Sequence, residues 1–383
     1  MALKGVQVLE IAGLAPGPFC GMVLADFGAR VIRIDKLADD NVGAENVLAH
    51  GKQSVALNFK TSEGIDAFKR LSSKSDVVID PFRPGVMERL KIGPSDLMGA
   101  NKRLIFARLT GFGQEGPLAQ APGHDINYVG LSGVLSMLGG RNDAPPYPPI
   151  NLLADFAGGG LTAALGIILA LFEREKSGVG QVVDCSMTRG AAYVSSWALR
   201  GLDSFLFCNP AGKNLLDGGS FFYNTYKTKD GRYMAVGSLE YKFYQNLLKG
   251  LNISEDDLPQ TTDYETGHRI LEEAFAKQTQ AYWSDVFKDV EACVTPVVTP
   301  AEAAAHQHSL HQQNFAKLSD GSLAPTPEPR LSRTPGARDP TAKAPRAGQH
   351  TIEILKSVGY STESLEKMLQ IGAIGISDTS SKL

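Results

Sequence analysis

Short apolar strand patterns alternate with helical patterns over the first 110 residues, and this order restricts the possible folds more than any other feature. The strand patterns are VQVLEI, ARVIRIDK, SVALNF, SDVVID and RLIFARLT. Helical patterns occur at PGPFCGMVLADFG, at SEGIDAFKRLSS with Ser62 as N-cap, and at RPGVMERL with Pro84 in its first turn. Because such alternation favours a parallel sheet with helices on its faces, we predict an α/β fold with a large Rossmann-like domain.

The rest of the chain predicts a second, smaller domain. HDINYVGLSGVLSML and DFAGGGLTAALGIILALFERE indicate helices entered at His124 and Asp155, and QVVDCSM a further strand. FFYNTYKTKDGRYMAVGSLE is typical of a hairpin that turns at Asp230-Gly231, and YETGHRILEEAFAKQTQAYWSDVF of an amphipathic helix. The predicted division is a large domain at 1–190 completed by 325–383, a linker helix at 191–215, a small α+β domain at 216–310 and a Pro-rich connector at 311–349.

Composition and net charge indicate a globular protein and argue against one that binds nucleic acid. The 383 residues are enough for two domains, and 43% hydrophobic with 21% charged residues is an ordinary globular composition. A formal net charge of -3 and a pI near 6.2 provide no basic field for nucleic acid. A polyanionic ligand would therefore need a local cluster of cations.

Several features concern the location of the protein in the cell. The four cysteines have no CxxC spacing and indicate reduced core residues of an intracellular protein. The N-terminal run contains Glu10 and predicts a strand rather than a signal peptide. The uncharged stretch 156–172 starts with glycines, which favours a buried helix over a membrane span. The final Ser381, Lys382 and Leu383 form the tripeptide read by a peroxisomal import receptor.

Two motifs that suggest other chemistry are set aside. GFGQEG at 111–116 fits a dinucleotide fingerprint, but Pro117 and a loop follow it instead of a helix, so we interpret it as a glycine turn. HQHSLH at 306–311 brings three histidines together without a carboxylate or Cys at useful spacing, and a solvated helix end is the better interpretation. We expect no metal and no redox cofactor.

His124 in GHDINY and Asp155 in NLLADFAGGG are the candidate catalytic residues. Each begins a predicted helix at the carboxyl edge of the sheet, where α/β proteins bind ligands. Taken singly, His124 is typical of a surface or capping histidine and Asp155 of an N-cap. Together they can abstract and return a proton on opposite sides of a carbon beside a carbonyl, and the Gly-rich turn after Asp155 could supply N–H groups for the enolate oxygen.

The chain resembles the α-methylacyl-CoA racemases, a branch of the family III CoA-transferase superfamily. The resemblance rests on stretches spread from about residue 5 to residue 300: GLAPGPFCGMVLADFGARVIRID, RPGVMERL, LIFARLTGFGQEGP, GHDINY, NLLADFAGGG, LDGGSFFYNTY, VGSLE and ACVTPV. The His of GHDINY distinguishes the racemase branch from the transferases. The resemblance implies two interlocked subunits, with an active site formed by the large domain of one and the small domain of the other.

The resemblance also assigns roles to residues. It implies that His124 and Asp155 act on opposite faces of the α-carbon of a 2-methyl-branched acyl-CoA thioester, and that Glu240 helps to orient the site. CoA is then part of the substrate rather than a cofactor. The residues implied to contact CoA are Lys36, Leu57, Asn58, Phe59, Lys60, Arg83, Arg89, Gly123, Asp125, Ile126, Asn127 and Tyr128. The implied context is branched fatty-acid and bile-acid metabolism in the peroxisome, with a mitochondrial pool left open.

Three stretches depart from the family pattern. Lys36 replaces the usual Arg and would hold phosphate as a point charge without a bidentate fork. The stretch 37–54 is acidic where relatives are Arg-rich, and SFFY replaces an Ala-Pro-aromatic run after LDGG. Two other functions stay open on the sequence: a CoA-transferase that uses Asp155 as nucleophile, and an acyl-CoA binding protein without catalysis.

Overall fold

The computed structural model describes residues 1–37, 47–139 and 144–377. Over these residues the chain forms two compact units, the first from 1–132, 149–194 and 312–383 and the second from 133–148 and 195–311. The second unit thus includes the segment 133–148, which the sequence pattern does not separate from the large domain. Ser381, Lys382 and Leu383, and most of the acidic stretch after Leu37, lie outside the described residues.

The first unit is built on a sheet with the strand order β12-β3-β2-β1-β4-β5-β6. Strands β1 to β6 are parallel, and β12 pairs antiparallel with β3. The parallel α/β prediction is therefore confirmed, and the antiparallel edge strand is an addition from the C-terminus. The strands are β1 Gln7–Ile11, β2 Arg30–Asp35, β3 Gln53–Leu57, β4 Val77–Asp80, β5 Ile105–Thr110, β6 Val182–Ser186 and β12 Ile374–Gly375.

Helices pack on this sheet, and its core contains strand residues together with α2, α14 and α15. The helix α2 is capped by Thr61, whose hydroxyl accepts the Gly64 N–H at 3.1 Å, so the predicted cap at Ser62 is one residue late. The helices are α1 Pro16–Asp26, α2 Ser62–Ser73, α3 Val86–Arg89, α4 Pro94–Ala100, α5 Asp125–Leu131, α6 Thr162–Ser177, α7 Met187–Val194, α14 Thr351–Ser357 and α15 Thr362–Gln370.

A fully buried ion pair lies between the central strand and α1. Lys52 Nζ is 2.7 Å from Glu10 Oε2 and donates to the Pro18 carbonyl at 2.9 Å, and both side chains are completely shielded from solvent. The absence of a side chain at Gly21 makes room for the Glu10 carboxylate. The pair fixes α1 on the sheet, because separating the two charges would leave one of them uncompensated in the interior.

The second unit has its own core around a three-stranded antiparallel sheet. Phe221 and Phe222 of the unusual SFFY run are buried in this core, and Gly267 leaves space for the Phe221 ring. The predicted hairpin is present, but the helix predicted over 264–287 is divided in two. The elements are β7 Tyr223–Lys227, β8 Tyr233–Gly237, β9 Val294–Pro296, α8 Ser196–Arg200, α9 Tyr241–Leu251, α10 Tyr264–Phe275, α11 Gln280–Phe287 and α12 Pro300–Ala305.

The predicted linker helix is shorter than expected, whereas the predicted connector contains a helix and a hairpin. The short α8 is followed by turns up to the strand β7. The helix α13 Gln307–Gln312 leads into a hairpin of β10 Phe315–Lys317 and β11 Leu323–Pro325, after which the chain has bends and turns but no regular element up to α14. Arg338 of this irregular segment forms an ion pair with Asp26 at 2.6 Å.

All four cysteines are free thiols. Cys20 and Cys185 are buried, as the sequence predicts, whereas Cys208 and Cys293 are exposed. The core prediction fails for these two because Cys208 lies in the turns after α8 and Cys293 takes a left-handed conformation just before β9.

Candidate active site

His124 stands at the end of the loop that follows β5. It is the N-cap residue of α5, and its backbone N–H donates to Asn127 Oδ1 at 3.0 Å, as the sequence predicts for a helix entered at this residue. Its imidazole is exposed. The loop is held by Tyr128, whose hydroxyl donates to the Gly123 carbonyl at 2.5 Å and whose ring occupies the space that a side chain at Gly111 would need.

Asp155 does not begin its helix. The helical segment starts at Leu152, and its first ten residues, Leu152–Leu161, have π-helical hydrogen bonding before α6 continues it. The two preceding residues, Ile150 and Asn151, have left-handed φ angles of 47° and 60°. Such strain and π-helical geometry are frequent at functional sites. The predicted N-cap at Asp155 is therefore corrected to Asn151, a residue type that N-cap preference alone would have selected.

The carboxylate of Asp155 is largely buried and has one hydrogen-bonding side chain beside it. Asp155 is 8% exposed, and Asn151 Nδ2 donates to its Oδ2 at 2.8 Å. Burial raises the pKa of Asp155 above its usual value, and the charge of Asp125 raises it further. The Asn151 hydrogen bond and the nearby His124 act in the opposite direction. The net rise suits a carboxyl group that must carry a proton for part of a reaction.

Asp125 connects the two candidate residues. It is 2% exposed, and its Oδ1 accepts the backbone N–H groups of Ala154 at 2.9 Å and Asp155 at 2.8 Å. This side chain was implied by the family resemblance to contact CoA. The side chain lies in the interior, where the N–H groups at the start of a helix attract an anion, and a contact of Asp125 with CoA stays a prediction.

The glycines after Asp155 serve packing. Gly158, Gly159 and Gly160 are buried. A Cβ on Gly160 would lie 2.7 Å from the Pro16 carbonyl of α1, and one on Gly190 of α7 would lie 1.8 Å from the Gly158 carbonyl. The three glycines are thus packed against α1 and α7, and the use of N–H groups in this segment for an enolate oxygen stays a prediction.

The long apolar segment that contains Asp155 also meets the criteria for a membrane span. Among the described residues, Leu152–Ser177 is the helix that is long and apolar enough to cross a bilayer by length and composition alone. Its packing against α1 and α7 buries 44% of its most apolar window. The core helix of a globular protein passes the same test.

Four cations that were predicted to contact CoA are exposed on the first unit. Lys36 follows the end of β2, Lys60 lies shortly after β3, and Arg83 lies shortly after β4, so these three follow the carboxyl ends of three parallel strands of the sheet. Arg83 Nη1 also donates to the Gln120 carbonyl at 3.2 Å. Arg89 is the last residue of α3. The carboxyl ends of the strands form the usual ligand-binding edge of an α/β sheet.

The other predicted CoA contacts divide into buried and exposed residues. Leu57 is 3% exposed, and Phe59 packs edge-on against Phe68 with ring centroids 5.2 Å apart. Asn58 Nδ2 donates to the Gly372 carbonyl at 2.9 Å, so this side chain anchors the C-terminal segment. Ile126 and Asn127 are exposed on α5.

Glu240 lies in the second unit. It is exposed, and it is the N-cap residue of α9, with its backbone carbonyl accepting the N–H groups of Phe243 and Tyr244. The histidines at 306–311 do not form a metal site, since no group of three potential ligands in the described parts of the chain is placed to hold an ion.

The fold and this site define an α/β protein with a mainly parallel sheet, in which His124 and Asp155 lie on helical segments joined through Asp125. The chain belongs to CoA-transferase family III, whose pattern matches residues 3–351. It is 50% identical to the alpha-methylacyl-CoA racemase of Mus musculus over 371 residues, which cover 95% of each chain. It is 47% identical to the Homo sapiens protein of that name over 372 residues, 96% of each chain.

A solved structure shares the fold. A CAIB/BAIF family protein from Brucella suis superposes with a TM-score of 0.78 at 24% identity, covering 93% of this chain and 99% of that one. The family resemblance and the fold class predicted from the sequence are thus confirmed.

Proposed function

We propose that the protein is an isomerase that inverts the configuration at carbon 2 of 2-methyl-branched acyl-CoA thioesters. The observation that carries this proposal is the link through Asp125, which ties the helix start at His124 to the backbone of Asp155. The relatives named alpha-methylacyl-CoA racemase support the same reaction.

The reaction needs two proton-transfer groups and no net change in oxidation. For one enantiomer, His124 takes the proton from the α-carbon, and the electron pair of that C–H bond forms an enolate with its charge on the thioester oxygen. Asp155, holding a proton, then donates it to the opposite face of the α-carbon. For the other enantiomer the roles are exchanged. The raised pKa of Asp155 favours this use, because a carboxyl group with an ordinary pKa would seldom be protonated near neutral pH.

A CoA-transferase is the second candidate, and the description of the matched family favours it. In that reaction the Asp155 carboxylate would attack the thioester carbonyl, form a mixed anhydride and expel CoA thiolate, which would then attack the Asp155 carbonyl and release the first acid as a carboxylate. A second carboxylate would attack this aspartyl-CoA thioester and expel the thiolate, which would attack the new acyl carbonyl and free Asp155. Burial that raises the pKa of Asp155 disfavours the ionised nucleophile, and His124 would have no task.

Deuterium exchange separates the candidates. The purified protein is incubated with one enantiomer of a 2-methylacyl-CoA in deuterated water, and the α-proton is followed by NMR. Exchange with inversion is expected. Transfer of CoA to a free acid without exchange at the α-carbon would favour the transferase, and binding without either reaction would indicate an acyl-CoA binding protein.

The contacts with CoA are part of this proposal. Lys36, Lys60, Arg83 and Arg89 are exposed cations suited to the phosphates of CoA. Ile126 and Asn127 are proposed to contact the substrate from α5, and Glu240 to orient it, as the family resemblance implies. No metal or redox cofactor is required by the proton transfers.

We further propose a homodimer. An exposed apolar stripe on the helix containing α6 supports it: Leu161, Leu165, Leu169 and Phe172 recur at helical spacing, and each is at least 50% exposed. A stripe of this kind indicates a surface that a partner covers.

The cellular role stays a prediction of the sequence. The tripeptide Ser381, Lys382 and Leu383 predicts peroxisomal import, and the proposed substrates fit branched fatty-acid and bile-acid metabolism, with a mitochondrial pool left open. A fluorescent fusion that keeps this end free should collect in peroxisomes. A matched fusion lacking the tripeptide should stay diffuse.

A further inference from the structure

We propose that Asp125 is a positioning residue for racemisation: its carboxylate sets the distance and orientation between His124 and Asp155. This inference rests on the proposed function and deepens it, because it names the group that fixes the relative position of the two acid/base residues.

The geometry of the link is direct. Asp125 is the first residue of α5 and follows His124 in the chain. Its Oδ1 accepts two backbone N–H groups, one of which belongs to Asp155 itself. A single oxygen thus joins the backbone beside one acid/base group to the backbone of the other. Any shift of α5 relative to the π-helical segment must stretch or break these two bonds.

A local helix cap would not have this effect. Caps are ordinarily supplied by the residue that precedes the helix. Here that residue, Asn151, makes no side-chain cap bond, and its amide donates to the Asp155 carboxylate instead. The acceptor for the third and fourth N–H groups comes from Asp125, 29 and 30 residues earlier in the chain. The segment carrying Asp155 therefore depends on α5 for its cap.

Precise spacing is what a two-base reaction requires. The two groups must lie on opposite faces of one carbon atom, and a displacement of about 1 Å can reduce a rate about 100-fold. Because Asp125 is buried, solvent competes little for its two bonds.

The charge of Asp125 gives the link a second consequence. It raises the pKa of Asp155, while His124 and the Asn151 amide lower it. Tyr128 of α5 also responds to the charge of Asp155, and Arg83 acts on Tyr128 in the opposite sense. Removing the Asp125 charge alone should therefore lower the pKa of Asp155 while leaving an acceptor in place.

The test compares Asp125→Asn, Asp125→Ala and a control, Asp96→Asn. Asparagine keeps the Oδ1 acceptor and loses the charge, whereas alanine loses both. Asp96 also accepts a backbone N–H at a helix start, from Gly93 at 3.1 Å in α4, but is exposed and lies outside the site. We measure kcat and KM for both enantiomers, the pH profile of the rate, and the pKa of Asp155 by carbon-13 NMR of its carboxyl group.

We expect Asp125→Ala to lose about 100-fold in kcat with KM nearly unchanged, as misplacement of a reacting group predicts. Asp125→Asn should lose less and show a lower pKa of Asp155, and Asp96→Asn should match the parent protein. An Asp125→Ala protein with parental kcat in both directions would overturn the proposal.

Two further outcomes keep the test decisive. If Asp125→Ala does not fold, Asp125→Asn provides the test, and a kcat equal to that of the parent protein for both enantiomers in that variant counts against the proposal. If the parent protein itself does not exchange the α-proton, the proposed function has failed rather than the positioning role.

Discussion

Asn151 Nδ2 donates a hydrogen bond to Asp155 Oδ2 at 2.8 Å, and this amide is the largest influence that lowers the pKa of the Asp155 carboxyl group. Asn151 has a φ of 60°, which glycine adopts without strain. The substitution Asn151→Gly should therefore remove this hydrogen bond without straining the backbone.

The Asn151→Gly variant should have a higher pKa at Asp155 than the parent protein. The hydrogen bond favours the charged carboxylate, so its loss favours the protonated form. The limb of the pH–rate profile that depends on Asp155 should move to higher pH. Asn252→Gly is a matched control, since Asn252 has a φ of 55° at the end of α9 in the second unit. A profile shift of the same size in both variants would contradict the assignment.

His124→Ala should abolish inversion while leaving acyl-CoA binding nearly intact, because the exposed imidazole is not part of the core. General acid–base catalysis typically contributes about 100- to 10,000-fold, so any residual inversion is expected to be slower by at least this factor. One enantiomer should still exchange its α-proton slowly through Asp155, without inversion. His124→Asn keeps a favourable N-cap and controls for damage to α5. Full inversion by either variant would refute the two-base mechanism.

Gly190→Ala should destabilise the first unit. The added methyl group would lie 1.8 Å from the Gly158 carbonyl, so α7 and the π-helical segment must move apart. Overpacking of this kind costs about 1–3 kcal/mol, and the displaced Asp155 should also reduce kcat. Gly99→Ala is the control, since nothing lies within 4 Å of its added methyl group. Thermal denaturation should show a lower midpoint for Gly190→Ala and an equal or higher one for Gly99→Ala.

Asp80→Asn should change how stability depends on pH. Burial raises the pKa of Asp80 to about 7, against the hydrogen bond from the Phe82 N–H and the charge of Arg108. The folded state therefore keeps a proton that the unfolded state loses near pH 4, and the protein loses stability as pH rises from about 4 to about 7. Asparagine cannot ionise, so the free energy of unfolding of the variant should fall less between pH 5 and pH 8 than that of the parent protein.

Chemical denaturation at the two pH values measures this difference, with Asp256→Asn as an exposed control. Parallel pH dependence of Asp80→Asn and the parent protein would argue against a buried, protonated Asp80.

Leu165→Glu should weaken self-association. Leu165 is 50% exposed in the middle of the apolar stripe on α6, and a charge there would have to be buried in the proposed dimer. Leu323→Glu is the control, because Leu323 is similarly exposed, at 51%, on β11 away from the stripe. Light scattering should show a shift towards monomer for Leu165→Glu alone. Two variants with identical masses would contradict a dimer through this surface.

The sequence by itself determined the sheet and the two candidate residues. Short apolar runs such as VQVLEI and SDVVID are patterns of neighbouring residues, and they predicted the strands β1 and β4 correctly. His124 and Asp155 could be selected because a titratable residue before a helical pattern at a sheet edge is a local feature of the chain.

Only the tertiary structure decided how those residues are held. The role of Asp125 depends on its contacts with Ala154 and Asp155, which follow it by 29 and 30 positions in the chain. The role of Gly158 depends on its close contact with Gly190. The π-helical segment that carries Asp155 likewise packs against α1 and α7, and the left-handed φ of the β-branched Ile150 is one that its local propensity disfavours. Side-chain patterns encode which elements form, whereas the separations on which proton transfer depends arise only when those elements pack together.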